Sequence, residues 1–271
     1  MKLFQVVVSA LLSLVLLTSL VLAETGDESK TQNLAKQLAN PVASLISIPF
    51  QSNWESGLGA AGNGNRYTLR LQPVIPFSFN ADYNLIVRPI FSYISQQDVI
   101  GGTGQRGLSD TQLELFWSPK TVGSSRVIWG LGPTFLLPTA AEPALGTGKW
   151  GLGPSAVVLK QSGPWTYGAL SNHLWAVAGN SDRSNISQTY LQPFISHSNK
   201  KGLTFSLSSE SSYDWLNSQW TIPAIGTVSQ IMPIAGHYVS FGLSGVYNLQ
   251  SPTNTNKWAT RLTITLLLPD K

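Results

Sequence analysis

The sequence predicts an all-β fold, a transmembrane β-barrel of about twelve antiparallel strands that follows a short N-terminal helical segment. Two neighbouring segments, residues 66–79 and 83–94, carry apolar side chains at every odd position and their charged, amide and hydroxyl residues at even positions. A period of two places the two kinds of residue on opposite faces of a β-strand. The N-terminus is apolar and only 11% of the residues are charged, as expected for a protein whose outer wall faces lipid. A closed barrel can span a membrane because every backbone group in it is hydrogen-bonded.

Residues 1–23 have the composition of a secretory signal peptide. Lys2 is the basic n-region, an apolar run extends to Leu22, and Ala23 occupies a cleavage-type position. The alternative is an uncleaved membrane anchor, because the apolar run is about long enough to cross a bilayer. Cleavage is the favoured interpretation because a polar stretch follows at once, and it leaves 248 of the 271 residues for one barrel domain.

A short helical segment, residues 24–41, precedes the predicted barrel domain at residues 42–271. Leu34 and Leu38 have the spacing of one helix face, and Asn40-Pro41 ends the pattern. This segment can enter the barrel and narrow its lumen, or it can lie free in the periplasm.

Twelve strand candidates follow, an even number that bacterial barrels allow. Their connections alternate between short turns and longer, glycine-rich loops, and aromatic residues gather near both strand ends, as in an outer-membrane barrel. The candidate strands are residues 42–55, 66–79, 83–95, 110–118, 126–138, 150–161, 165–178, 186–197, 203–213, 220–230, 238–249 and 257–268.

A turn centred on Ala81 sets the register of the second and third strands. It pairs Phe77 with Leu85, and both apolar faces then lie on the same side, as strand pairing requires. Residues 150–178 and 220–230 do not alternate clearly, so their inward and outward faces stay unassigned.

Prolines inside the candidate strands are unusual because proline donates no hydrogen bond to a ladder. The same register places Pro73 opposite Pro89, and Pro133 falls near Pro154. These four residues mark either kinks that weaken a seam of the wall or bulges that curve the barrel, and the second interpretation is favoured.

Composition excludes several kinds of chemistry. The chain has no cysteine, so disulfides and thiol catalysis are excluded. Its three histidines lack the spacing of a zinc site, and no motif indicates a metal or a cofactor. Lysines and arginines are scattered rather than interleaved with aromatic residues, which argues against nucleic-acid binding.

The polar faces of the strands are expected to line the barrel interior, because a charge on the lipid face costs roughly 2–4 kcal/mol at mid-depth. Arginines on three strands can then pair with two glutamates across the lumen. Such groups set the selectivity of a solute path, or they fill a plug that only stabilises the barrel. The candidate lumen and selectivity residues are Arg70, Arg88, Glu114, Glu210, Arg261, Gln188 and Gln192.

Enzymatic function has little support in the sequence. Ser171 and His173 have the spacing of a Ser-His pair on a barrel wall, but the surrounding motif is absent. We therefore expect no catalytic residues, and a wall-mounted lipid hydrolase is the weakest alternative.

Six blocks along the chain have a distinctive composition. They are NPVASLISIPFQ at residues 40–51, LQPVIPFS at 71–78, LIVRP at 85–89, GKWGLGP at 148–154, VLKQSGPWTYGAL at 158–170 and NHLW at 172–175. These blocks resemble a family of bacterial outer-membrane transporters, often labelled neuromedin U, which is similar to the family named for the MetA pathway of phenol degradation. The resemblance implies an outer-membrane β-barrel with a transport role.

The predicted function is passive passage of small solutes, apolar or aromatic ones included, through a barrel exported across the periplasm to the bacterial outer membrane. The predicted partners are membrane lipids, the outer-membrane assembly machinery and the small-molecule solute, and no feature sets an oligomeric state. The main alternative is a structural or assembly-related barrel without an open pore.

Overall fold

A computed structural model describes residues 28–268, in which one α-helix precedes fifteen β-strand segments. The predicted signal peptide lies outside the described residues. Helix α1 spans Glu28–Leu38, and a 3-10 helix spans Pro143–Leu145. The strand segments are β1 (Ile46–Leu58), β2 (Gly64–Leu71), β3 (Ile75–Ser78), β4 (Tyr83–Ile100), β5 (Thr103–Leu108), β6 (Thr111–Pro119), β7 (Val127–Leu137), β8 (Lys149–Ser162), β9 (Trp165–Gly179), β10 (Ser187–Ser198), β11 (Leu203–Ser208), β12 (Ser211–Asp214), β13 (Gln219–Ile234), β14 (His237–Gln250) and β15 (Trp258–Leu268).

The fifteen segments form the twelve wall strands of a closed antiparallel barrel, which confirms the predicted fold. Three wall strands are each interrupted once, and the interruptions divide them into β2 and β3, β5 and β6, and β11 and β12. The barrel closes where β1 pairs with β15, from Ile46 opposite Leu268 to Glu55 opposite Ala259. Within residues 28–268, no helix is long and apolar enough to cross a lipid bilayer.

The outer wall is an apolar belt bordered by aromatic rings. The predicted register between β3 and β4 is observed, and Phe77 is exposed on the outer face. Trp54 packs on Tyr67 with their ring centroids 5.7 Å apart at the long-loop end, and Tyr83 lies 6.5 Å from Trp129 at the short-turn end. A surface of this kind matches a hydrocarbon layer, with the rings at the level of the lipid headgroups.

Both faces of β8 are apolar, which is why alternation cannot reveal its orientation. Val157 is buried inside the barrel, whereas Leu152 and Val158 are exposed on the outer wall. In β13, Ile225 is likewise buried and Val228 is exposed. Two inward residues of β8 belong to an apolar cluster formed by Val42, Ile86, Phe116, Val157, Leu159 and Leu170.

Helix α1 and the residues that follow it occupy the short-turn end of the barrel interior. Gln161 Nε2 donates to the carbonyl oxygen of Lys36 at 2.7 Å, and Gln32 Nε2 donates to the carbonyl oxygen of Ser198 at 2.8 Å. An apolar cluster joins this segment to the inner wall through Leu34, Ala35, Ala43, Leu45, Ile231 and Leu267. Residues 28–41 therefore lie inside the barrel, and the bounds of the segment and of the barrel domain stay predictions.

Prolines of neighbouring strands face one another at two places in the wall. Pro133 of β7 lies directly opposite Pro154 of β8. Pro73 lies in the interruption between β2 and β3, and the constant register on either side places it opposite Pro89. Because no proline has a backbone N–H, the ladder is short of hydrogen bonds at both places.

We expect backbone amides beside these four prolines to exchange with deuterium faster than amides elsewhere in the same strands, because fewer ladder hydrogen bonds protect them. Native-state hydrogen exchange of the barrel in detergent, read by mass spectrometry, measures the difference. Uniform protection around Pro73 and Pro89 would show that the prolines only curve the wall.

Candidate functional site

The barrel interior beyond α1 contains a cavity of about 610 Å³. Hydroxyl groups from neighbouring strands, β11 to β15, line one side of it. They belong to Ser206, Ser208, Ser212, Thr227, Ser229, Ser240, Ser244, Thr263 and Thr265. These side chains are small, so they leave space for a solute, and each hydroxyl can both donate and accept a hydrogen bond.

Glu210 lies in the interruption between β11 and β12 and lines the cavity. The registers place Pro193 and Pro223 of the flanking strands beside this interruption, where neither proline can donate to the ladder. The Glu210 carboxylate accepts hydrogen bonds from Arg261 Nη1 at 2.6 Å and Nη2 at 3.0 Å, and Arg70 Nη1 lies 3.6 Å away. Because neither β15 nor β2 borders these segments, both ion pairs cross the lumen.

Glu114 of β6 and Arg88 of β4 form a buried ion pair along the wall. They are cross-strand partners, with Arg88 Nη1 3.0 Å from Glu114 Oε2. Glu114 is 2% exposed and Arg88 is 7% exposed. Asn172 of β9, three wall strands away, donates to Glu114 Oε1 at 2.7 Å. Glu210 therefore forms its ion pairs across the lumen, whereas the arginine partner of Glu114 lies on the adjacent strand.

Tyr190 completes this group of side chains and is absent from the residues predicted to line the lumen. It lies on β10 between Gln188 and Gln192, and its hydroxyl donates to Gln192 Oε1 at 3.2 Å. It lines the same cavity as the charged side chains. The sequence indicates that Tyr190 faces the lumen through its position between two residues predicted to face inward, because alternate residues of a strand share one face. We refer to Arg70, Arg88, Glu114, Tyr190, Glu210 and Arg261 as the lumen belt.

Gln188 lines both the lumen cavity and a second cavity, of about 460 Å³, at the long-loop end. The long-loop end is the mouth of the barrel. The loop between β7 and β8 borders the mouth, and hydrogen bonds hold this loop in place. Asp110 accepts hydrogen bonds from the backbone N–H of Thr147 at 2.6 Å and from its hydroxyl at 2.7 Å. Arg183 Nε donates to the Thr147 carbonyl oxygen at 3.2 Å. The two cavities together outline a polar path from the loops to the lumen belt.

His173, which belongs to the Ser-His pair of the hydrolase alternative, lies on the outer wall. Ser171 Oγ donates to a backbone carbonyl oxygen of the neighbouring strand at 2.8 Å. His173 Nδ1 instead lies 2.7 Å from Thr189 Oγ1, and His173 Nε2 lies 3.5 Å from Ser187 Oγ. Trp215 Nε1 donates to Thr189 Oγ1 at 2.9 Å, which leaves the Thr189 hydrogen free to point at Nδ1.

Either tautomer of His173 satisfies these contacts. Ser171 and His173 bond to different groups, so the two side chains do not form the Ser-His pair of the hydrolase alternative. Among residues 28–268, histidine, aspartate and glutamate side chains form no cluster of three that could hold a metal ion.

No protein-family model matches the chain, and none of the curated proteins matches it. Solved structures do match. The crystal structure of an outer-membrane channel from Pseudomonas putida F1 has a TM-score of 0.63 at 12% identity, covering 83% of this chain and 94% of that one. The chain has the fold of a bacterial outer-membrane β-barrel.

Two further barrels share this fold. The NanC porin has a TM-score of 0.50 at 12% identity, covering 82% of this chain and 100% of that one. Outer membrane phospholipase A from Escherichia coli has a TM-score of 0.50 at 13% identity, covering 90% and 98%. Because a channel, a porin and a phospholipase share the fold, the barrel alone does not select one activity. Membership of the neuromedin U family stays a prediction.

Proposed function

We propose that the protein resides in the bacterial outer membrane and is a passive channel for small solutes. The observation that carries this proposal is the polar path from the mouth cavity, past Gln188, to the lumen belt. A purely structural barrel has no need for a central cavity of about 610 Å³ lined by charged and hydroxyl groups. The apolar outer wall and the fold shared with an outer-membrane channel support the same conclusion.

The cavity lining mixes charged and hydroxyl groups with apolar side chains such as Leu45, Leu136 and Ile225, so the proposed solutes carry hydrogen-bonding groups and are not wholly apolar or aromatic. An apolar solute would displace water from hydroxyl, amide and guanidinium groups without replacing its hydrogen bonds, which costs free energy. The other proposed partners are membrane lipids against the outer wall and, as a prediction from the sequence, the outer-membrane assembly machinery.

A barrel without an open pore is the second candidate function, and the position of α1 favours it. Helix α1 and the apolar cluster around Val42 occupy the short-turn end, and the ion pairs of Glu210 narrow the middle of the lumen. In a channel, α1 restricts the flow of solute. In a structural barrel, it is a permanent plug.

We expect a variant that lacks residues 28–38 to show single-channel conductance several-fold larger than that of the full chain, because the short-turn end of the lumen is then unobstructed. Planar-bilayer recording of both purified proteins in KCl makes the comparison. Heat-modifiable gel mobility is the control, since a folded barrel migrates differently before and after boiling.

Three outcomes separate the candidate functions. Conductance steps from the full chain support a channel with α1 as its restriction, whereas steps from the helix-deleted barrel alone support a structural barrel that α1 plugs. If both proteins are folded and both are silent, the channel proposal is wrong and the structural barrel is favoured.

A further inference from the structure

Three buried polar atoms on the arginine-bearing side of the lumen cavity lack a hydrogen-bond partner among residues 28–268. They are Gln51 Oε1, Arg70 Nε and Arg88 Nε, and all three residues line the cavity. Gln51 of β1 and Arg70 of β2 are direct cross-strand partners, so the two side chains are neighbours. An unpaired acceptor beside an unpaired donor is costly in the free protein. Both atoms are enclosed, so a ligand that offers the missing partners reaches Gln51 Oε1 when this side chain turns toward the cavity.

Arg70 is the most accessible guanidinium group of the lumen belt. Its side chain is 32% exposed, against 8% for Arg88 and 12% for Arg261. Arg261 holds Glu210 through two hydrogen bonds, whereas Arg70 approaches the same carboxylate only to 3.6 Å. Asp110 also lines the cavity, but the mouth loop donates three hydrogen bonds to its carboxylate.

The charges of the lumen belt do not cancel. Three guanidinium groups stand against two carboxylates, which leaves one positive charge in excess within the belt, whereas the Asp110 carboxylate, which the mouth loop contacts, balances it over the cavity as a whole. The two tighter pairs use Arg88 and Arg261, so the excess charge lies at Arg70. An anionic group that enters from the mouth therefore meets its most favourable position beside Arg70.

On the basis of the channel function proposed above, we propose that Arg70 and Gln51 recognise small carboxylates that carry a hydrogen-bond donor beside the carboxylate. The guanidinium group of Arg70 donates to the carboxylate oxygens. Gln51 Oε1 accepts a hydrogen bond from the neighbouring hydroxyl or ammonium group. The hydroxyl groups of the opposite wall face the rest of the solute.

Lactate is the probe because it has both groups, whereas propionate lacks the hydroxyl and propane-1,2-diol lacks the carboxylate. In planar bilayers, we expect lactate to block the KCl current of the full chain at lower concentration than propionate, and the diol to leave the current unchanged. Arg70→Gln is expected to raise the lactate concentration needed to block the current about tenfold, because the carboxylate then loses its hydrogen bonds to a charged group. Gln51→Leu is expected to remove the preference for lactate over propionate.

Arg66→Gln is the matched control. It removes the same charge from the same face of β2, but nearer the mouth, where Arg66 Nε donates to Gln96 Oε1 at 2.7 Å and Nη1 lies 4.0 Å from Glu55. We expect the lactate block of this variant to equal that of the unmodified barrel.

The outcomes distinguish the site from the channel. A conducting barrel that lactate does not block, or that it blocks equally in Arg70→Gln, would overturn the site and leave the channel intact. If the barrel does not conduct, titration calorimetry of lactate into the detergent-solubilised full chain replaces the recording. Binding that depends on Arg70 then supports the site without the channel, and an absence of binding overturns it.

Discussion

Replacing Glu114 by glutamine is expected to destabilise the barrel by about 3 kcal/mol, because it leaves the Arg88 charge buried without its counter-charge. Both side chains are almost fully enclosed, and their contact at 3.0 Å is the most buried ion pair among residues 28–268. The loss also removes the acceptor charge from the Asn172 hydrogen bond. Equilibrium unfolding of the barrel in detergent by guanidinium chloride measures the change.

The control for this prediction is Glu55→Gln. Its partner Arg66 lies 4.0 Å away, and both side chains are partly exposed, so the expected change is within about 1 kcal/mol. A double variant, Glu114→Gln with Arg88→Gln, is expected to recover much of the lost stability because no unpaired charge remains. Equal destabilisation by Glu114→Gln and Glu55→Gln would contradict the role of burial.

Gly153→Ala is expected to lower stability by about 3 kcal/mol or to prevent folding of the barrel. A β-carbon at Gly153 would overlap the carbonyl oxygen of His173 on the adjacent strand. That oxygen belongs to the backbone, so relief requires the two strands to move apart in a closed wall. Gly153 precedes Pro154, where the ladder is already short of hydrogen bonds. The folded fraction by heat-modifiable mobility and the unfolding midpoint provide the measurements.

Gly245→Ala provides the matched control in another wall strand. A β-carbon there meets no atom within 4 Å, so its effect on stability is expected to be small. If the two variants unfold at the same denaturant concentration, the close approach of β8 and β9 at Gly153 does not limit stability.

The number of wall strands and much of their register follow from the sequence because of a simple physical rule. A strand between lipid and a polar interior alternates with period two, as residues 66–79 do, and a short turn then sets the partner. Phe77 lies opposite Leu85 for this reason. The rule fails at β8, where Val157 faces the buried apolar cluster instead of a polar lumen.

The partners of the lumen charges are less accessible to sequence reasoning. Glu210 and Arg261 are 51 residues apart and belong to wall strands that do not touch, so curvature of the wall brings them together. Alternation can list inward charges but cannot say which of them meet. Tyr190 was missed for a related reason, since a tyrosine fits the aromatic ends of an outer wall as well as a lumen.

The pairing of β1 with β15 determines the order in which the molecule can be made. Among residues 28–268, β1 is the first wall strand and β15 is the last. Their pairing therefore joins the wall residues that are farthest apart in the sequence. We therefore expect the nascent polypeptide to stay incompletely folded until its final strand has left the ribosome. Until then both strands offer unsatisfied backbone groups to other chains. Shielding of these edges until the barrel closes would therefore limit pairing between chains.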